Sequence, residues 1–136
     1  MRTPAQQLGD AAETRVAADL AAKGWIVHAR NVRVGRHELD LIATDPGPPR
    51  ALVFVEVRWR ARRDFGLAEE TVDARKRRRL HEAAFTLLES SRSGAAKGPV
   101  IRVPDGRAVT LPRLPLRFDL IVVEPGGHLR HHRAAL

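Results

Sequence analysis

A chain of 136 residues is long enough for one folded domain with a single hydrophobic core. Hydrophobic residues make up 43% of the chain, which supports such a core, and the absence of cysteine excludes a disulfide framework, a cysteine-ligated zinc site, an iron–sulfur cluster and a thiol nucleophile. The 24 lysines and arginines outnumber the 16 acids, and the net charge of +8 favours a negatively charged partner such as nucleic acid.

The first half of the chain predicts one helix followed by three strands. Residues 5–23 are alanine-rich, carry apolar residues at helical spacing and end at a lysine and a glycine. Residues 25–33 alternate weakly between polar and apolar, which predicts a strand. Residues 38–43 and 52–58 predict two firmer strands, and the Asp-Pro-Gly-Pro-Pro segment at residues 45–49 predicts the turn between them.

The second half predicts a further helix and more strands. Residues 71–88 carry an apolar face that is typical of a helix, and the small polar residues of 90–98 predict a mobile loop. Residues 100–111 predict a small hairpin around an Asp-Gly turn. Residues 118–123 are apolar on both faces, as in a central strand, and residues 128–132 predict either a polar edge strand or a tail.

The order of these elements predicts the fold class. The second helix connects two strands, which makes a βαβ crossover and therefore a mixed sheet with helices packed on it. We expect one α/β domain over residues 1–136 with its core at residues 5–124. The apolar runs are too short to span a bilayer, and the first four residues lack the apolar stretch of a secretory signal, so we expect a cytoplasmic protein.

Three acidic residues stand among apolar neighbours. Side chains alternate along a strand, so Glu56 shares a face with Arg58, and Asp40 lies between two leucines of the preceding strand. Glu13 shares the inward stripe of the first helix. Carboxylates from adjacent strands, joined by one from a helix, are ligands suited to Mg²⁺. Two alternatives stay open: Glu13 could border the apolar stripe, and Asp40 could form a cross-strand ion pair with Arg58.

Cationic side chains concentrate between residues 58 and 79. Nine cations and four acids leave this segment with a net charge of +5, which is typical of a protein that contacts a phosphate backbone, although a solvated helix is the alternative. Aromatic residues make up only 4% of the chain, which disfavours the base-stacking surfaces of single-strand binders. The predicted nucleic-acid contacts are Arg60, Arg62, Arg63, Arg75, Arg77, Arg78 and Arg79.

Several short motifs occur in the same order as in a known bacterial family. They are Gly9-Asp10-x-x-Glu13, Ala29-Arg30-Asn31, Glu38-Leu39-Asp40-Leu41-Ile42, Val53-Phe54-Val55-Glu56-Val57-Arg58-Trp59-Arg60 and Arg117-Phe118-Asp119-Leu120-Ile121. Over residues 8–123 the chain resembles the YraN family. That family is placed with the restriction-endonuclease-like nucleases of the PD-(D/E)xK type and is similar to archaeal Holliday-junction resolvases.

The resemblance implies a fold, an activity and a set of functional residues. It implies a central mixed sheet flanked by helices, and hydrolysis of phosphodiester bonds in DNA, branched or otherwise structured, with Mg²⁺ or Mn²⁺ as cofactor. It implies that Asp40 and Glu56 bind the metal and that Glu13 is the acid contributed by the helix. The oligomeric state is left open, although the similar resolvases act as dimers because a four-way junction presents two equivalent strands, which makes a homodimer one expectation.

One position departs from the superfamily motif, which ends in lysine where this chain has Arg58. Arginine can stabilise charge on a phosphate, but it cannot give up a proton to act as a base. Lys76, on the inner face of the second predicted helix, could reach the same phosphate, or its ammonium could extend into solvent. The candidate catalytic residues are therefore Glu13, Asp40, Glu56, Arg58 and Lys76. The alternative functions are a nucleic-acid-binding module with the same fold and no catalysis, and an adaptor for an acidic protein.

Overall fold

A computed structural model of the chain describes residues 3–60, 74–90 and 98–136, and two α-helices and seven strands lie within them. In chain order these elements are α1 (Pro4–Ala22), β1 (Ile26–Val34), β2 (His37–Asp45), β3 (Ala51–Trp59), α2 (Ala74–Ser90), β4 (Val100–Arg102), β5 (Ala108–Thr110), β6 (Leu116–Val123) and β7 (Leu129–His132). The predicted order of one helix, three strands, a second helix and a central strand is confirmed.

Five of the strands form one mixed sheet in the order β1-β2-β3-β6-β7. The pair β3–β6 is parallel and runs from Leu52 opposite Leu116 to Trp59 opposite Val123, while the other neighbours are antiparallel. The β3–α2–β6 connection is the predicted crossover. The chain is therefore a single α/β domain, and its architecture is consistent with a restriction-endonuclease-like fold. Residues 128–132, for which an edge strand or a tail was expected, contain β7 at one edge of the sheet.

Helix α1 covers one face of the sheet. It begins at a capping box in which Thr3 Oγ1 accepts from the backbone N–H of Gln6 at 3.1 Å and Gln6 Oε1 accepts from the backbone N–H of Thr3 at 2.7 Å. Val16 and Leu20 on its inner stripe are fully buried against Val53 and other residues of the sheet. Burial of this stripe holds α1 against β3 and places Glu13, which is also buried on α1, close to the sheet.

Helix α2 and the β4–β5 hairpin cover the opposite face. Leu80 and Ala84 of α2 pack with Phe54 of β3 in one core cluster, and Ile101 of the hairpin belongs to the same cluster. The hairpin turns at the Asp-Gly pair from which it was predicted, and pairs Ile101 with Val109. Because α2 runs between the ends of two parallel strands, its first turn lies near the carboxyl end of β3.

Several expectations fall outside the described residues. They concern the first turn of the helix predicted at residues 71–88, most of the mobile loop predicted at residues 90–98, and the two arginines Arg62 and Arg63. Within the part of the chain that the structure describes, neither helix is long and apolar enough to cross a membrane.

Candidate functional site

The site lies where β2 and β3 stop pairing with each other. The two strands pair from Asp45 opposite Ala51 to Leu41 opposite Val55. Beyond that point β2 continues to pair with β1, and β3 continues to pair with β6. The backbone N–H of Val57 donates to Asp40 Oδ2 at 2.9 Å. The separation of two neighbouring strands leaves room for carboxylates between them, and Asp40 occupies part of it.

Strict alternation of side chains does not hold across this part of β2. Leu39 and Ile42 are three positions apart, yet both pack in the core cluster on the α2 side, together with their partners Val32 and Ala29 of β1. Asn31 lies between those two partners with a φ of 54°, in the left-handed region that asparagine tolerates better than most residues. The alternation of side chains is therefore interrupted next to Asp40.

Three acids meet at this point. Glu13 of α1 and Glu38 and Asp40 of β2 each place one carboxylate oxygen within 4.8 Å of the other two. Glu13 is only 8% exposed, and its Oε1 is buried with no hydrogen-bond partner among the described residues. The side chain of Asn31 makes a hydrogen bond to Glu13. We call Glu13, Glu38 and Asp40 the acid cluster. Glu38 and Asn31 were not among the predicted site residues, although both belong to the quoted motifs.

The protonation of the acid cluster reflects its burial and its negative charge. Burial and, after it, the charges of Glu56 and Glu13 raise the pKa of Asp40 to about 8, while the hydrogen bond from Val57 acts in the opposite direction. Burial also raises the pKa of Glu13 to about 7, against the attraction of Arg30. A cation placed among these oxygens would favour their ionised forms, so protons and a metal ion compete for the same site.

Glu56 of β3 lies beside the acid cluster and contacts two cations. Its carboxyl group is in hydrogen-bond contact with Asp40. Its Oε1 lies 3.0 Å from Lys76 Nζ and 3.5 Å from Arg58 Nε. The ion pair made by Arg58 is therefore with Glu56 of its own strand, rather than the cross-strand pair with Asp40 that had been left open. Lys76 is half-exposed, and its ammonium reaches the site instead of extending away from it.

Four of the seven arginines predicted to contact nucleic acid are exposed in the described residues. Arg75, Arg77, Arg78 and Arg79 are all exposed on the first turns of α2, next to Lys76. Arg60 differs from the expectation, because its side chain is only 7% exposed. Its backbone N–H donates to Val123 O at 2.9 Å, so Arg60 continues the pairing of β3 with β6 and does not lie on an open loop.

Another buried acid, Asp119 of β6, forms a structural ion pair. Arg117 donates to both of its carboxylate oxygens at 2.9 Å, His131 Nε2 donates at 2.8 Å, and the backbone N–H of Ala134 donates at 2.9 Å. Burial would raise the pKa of Asp119, but these hydrogen bonds outweigh it and lower the pKa to about 2. This acid is fully satisfied, unlike Glu13.

Comparison with known proteins identifies the family to which the chain belongs. Residues 12–123, which contain the acid cluster, Glu56 and Lys76, match the model of a family described as "Uncharacterised protein family UPF0102". The chain belongs to the UPF0102 family. This is the YraN family that the motifs predicted, so the predicted family membership is confirmed.

Individual members of the UPF0102 family are similar to the chain over most of its length. It is 39% identical to a UPF0102 protein of Symbiobacterium thermophilum over 127 residues, which is 92% of this chain and 90% of that protein. It is 35% identical to a UPF0102 protein of Pseudomonas entomophila over 120 residues, 88% of this chain and 81% of that protein. A UPF0102 protein of Halorhodospira halophila is 45% identical over 87 residues, 64% of this chain and 69% of that protein.

Proposed function

We propose that the protein is a metal-dependent nuclease that hydrolyses phosphodiester bonds in DNA. The observation that carries this proposal is the meeting of carboxylates from α1, β2 and β3 at the point where β2 and β3 separate, with Lys76 in contact with one of them. Membership of the UPF0102 family identifies the relatives but does not by itself supply an activity.

The acid cluster has the properties of a divalent-cation site. Carboxylate oxygens are the ligands that Mg²⁺ and Mn²⁺ prefer. The buried Glu13 Oε1 has no hydrogen-bond partner among the described residues, and buried polar atoms are normally satisfied. Glu13, Glu38 and Asp40 would hold the ion, with Glu56 next to them. When bound, such an ion supplies a Lewis acid that polarises a phosphate oxygen and makes water more acidic.

The cations beside the acids have separate roles in this proposal. Lys76 brings to the site the ammonium that the superfamily motif carries on the strand, where this chain has Arg58. Glu56 holds that ammonium in place, and lysine can exchange a proton, whereas arginine cannot. Arg58 contributes a permanent positive charge that stabilises negative charge developing on the phosphate.

The exposed arginines of α2 supply the contacts that position DNA. Arg75, Arg77, Arg78 and Arg79 lie next to Lys76 on the same helix, so a backbone bound to them passes close to the acids. Contacts to phosphates position a duplex without selecting a base sequence. The proposal therefore includes DNA as the partner and no sequence specificity.

The test is a cleavage assay on linear, flapped and four-way DNA with Mg²⁺ or Mn²⁺. We expect cleavage that a chelator abolishes and that Asp40→Asn reduces by roughly 10²-fold or more, since it removes a metal ligand. Asp19→Asn, which changes an acid of α1 that is paired with Lys23 3.0 Å away, is the matched control and should cleave normally. Cleavage at the wild-type rate by Asp40→Asn would contradict the proposal.

The presence of Arg58 at the lysine position of the motif supports a second candidate, a nucleic-acid-binding module without catalysis. Such a module would bind DNA with a steep dependence on salt, would be indifferent to chelator and would cleave none of the three substrates. An adaptor for an acidic protein would bind that protein and show no affinity for DNA.

A further inference from the structure

A groove runs along the outer edge of the sheet between β1 and the β4–β5 hairpin. One part has a volume of about 350 Å³ and the adjoining part about 630 Å³. Both parts are lined by Asn31, Val103 and Pro104, so they form one continuous depression. The second part is also lined by Glu38, a member of the acid cluster. The groove therefore leads from the edge of the sheet to the candidate site.

Arginines line both walls of the groove. Arg30 and Arg33 come from β1, and Arg102 and Arg107 come from the hairpin. Arg107 is paired with Asp105, Nε to Oδ2 at 2.7 Å, and Arg30 donates to Thr14 Oγ1 at 3.0 Å.

Two of these arginines are available to a ligand. Arg33 and Arg102 are exposed, and neither forms an ion pair with an acid of the described chain, while Arg102 Nη1 donates to the carbonyl of Gly106 at 2.8 Å. Within the described lining the acids are Glu38, which belongs to the acid cluster, and Asp105, which Arg107 neutralises. The groove is therefore positively charged where it is open.

The groove and the arginines of α2 lie on opposite sides of the acids. The strand order β1-β2-β3 places the groove at the β1 side, Glu38 and Asp40 on β2, and Glu56 with its partner Lys76 at the β3 side. We propose that the groove binds the phosphate backbone of DNA on one side of the acid cluster while α2 binds it on the other. This inference rests on the proposed function and adds a second contact surface to it.

Such an arrangement has a physical consequence for the reaction. A backbone held at two basic surfaces is positioned along its length, and the phosphate between them lies over the acids. Acids alone would repel that phosphate, so cations on both sides offset the repulsion during approach. Both surfaces contact phosphates, so this arrangement positions DNA without recognising its bases.

The test compares two double variants that remove the same charge. Arg33→Ala with Arg102→Ala removes the two groove arginines that form no ion pair with an acid of the described residues. Arg50→Ala with Arg113→Ala is the matched control, because these exposed arginines precede β3 and β6 and so lie at the opposite end of the central strands from Glu56. Binding to a fluorescent duplex is measured by anisotropy in the presence of chelator over a range of salt concentrations.

We expect the groove variant to bind DNA roughly tenfold or more weakly and to lower the slope of log Kd against log salt by about 2, one for each lost phosphate contact. The control should change the slope much less, and thermal melting should show both variants folded. Equal losses of DNA affinity and of salt slope in the two double variants would overturn the proposal that the groove binds DNA, while leaving the nuclease proposal in place. Absence of DNA binding by the wild type would overturn both.

A second measurement locates the DNA directly. The chain has no cysteine, so a single introduced thiol can carry a photoreactive group. Arg107→Cys labels the wall of the groove, and Arg50→Cys labels the far end of the sheet. We expect DNA to cross-link from position 107 and not from position 50. Equal yields from the two positions would contradict the proposed path.

Discussion

At the scale of single residues, the distinguishing feature is that the acids within the fold differ in the number of hydrogen-bond partners that their carboxylates have. Asp119 accepts hydrogen bonds from Arg117, His131 and Ala134, and its pKa falls to about 2. Glu13 and Asp40 have fewer such partners, and burial raises the pKa of each. Perturbed acids concentrate at functional sites because catalytic groups need pKa values shifted to suit their task. The contrast within one chain separates structural acids from candidate catalytic acids.

A first prediction at this scale concerns Lys76. Lys76→Ala removes the ammonium 3.0 Å from Glu56 and should lower kcat for DNA cleavage by roughly 10²-fold, with a smaller effect on KM. Arg75→Ala, an exposed neighbour on the same helix, is the control and should raise KM while leaving kcat close to wild type. An unchanged kcat in Lys76→Ala would remove this residue from the proposed chemistry.

At the scale of elements, the ion network around Asp119 fastens the end of the chain to the sheet. His131 belongs to the edge strand β7, Arg117 belongs to β6, and Arg117 Nη2 also lies 2.9 Å from Asp45 Oδ2 of β2. The guanidinium carbon of Arg117 lies 5.6 Å from the centre of the ring of Trp25, which follows α1. These contacts join elements on both sides of β3 and lie away from the acid cluster.

The corresponding prediction is that Asp119→Asn destabilises the fold by about 3 kcal/mol above pH 5, because it leaves the partly buried Arg117 without its main partner. The pKa of Asp119 is about 2 when folded and near 3.8 when unfolded, so the folded state binds the proton less tightly. The stabilisation is therefore complete above about pH 5, where the carboxyl group is ionised in both states, and it is lost as the pH falls through 3.8 towards about 2.

Urea unfolding of wild type and Asp119→Asn at pH 6 and pH 2.5 measures this difference. The gap in unfolding free energy should narrow at the lower pH, whereas Asp105→Asn, at an exposed acid of the hairpin, should stay close to wild type at both. A gap of the same size at the two pH values would show that the network acts through packing and not through the charge of Asp119.

At the scale of the whole molecule, the sheet separates two core clusters and the site lies at one end of both. Residues of α1 pack on one face, and residues of α2 and the hairpin pack on the other. Packing of the two clusters places Glu13 and Lys76 on opposite faces of the sheet. The separation of β2 and β3 allows Glu13 to approach Asp40 and Lys76 to approach Glu56. The site therefore depends on the packing of both layers.

The prediction at this scale tests the layer that carries Lys76. Phe54 is 3% exposed and stacks on Phe118 with ring centroids 5.4 Å apart, so Phe54→Ala should cost about 3–5 kcal/mol of unfolding free energy. Phe85 on α2 is 53% exposed, and Phe85→Ala should cost less than about 1 kcal/mol. Chemical denaturation measures both, and similar losses would contradict the assignment of Phe54 to the core.

Much of the fold follows from local patterns. Apolar residues at helical spacing indicated α1 and α2, and the Asp-Gly and Pro-rich turns marked the hairpin and the β2–β3 connection. The handedness and length of a βαβ crossover then required β3 and β6 to be parallel. Asp40, Glu56 and Glu13 could be singled out because an acid among apolar neighbours is costly to bury without a partner.

The sequence by itself thus determined the elements, their order and the acids that needed partners, because each depends on residues close together along the chain. Only the tertiary structure decided which groups meet. Glu38 joins the acid cluster, Arg60 is buried and Lys76 contacts Glu56, and each of these depends on how distant segments pack together. The groove between Arg33 and Arg102 likewise depends on packing between segments far apart in the chain, to which no local pattern corresponds.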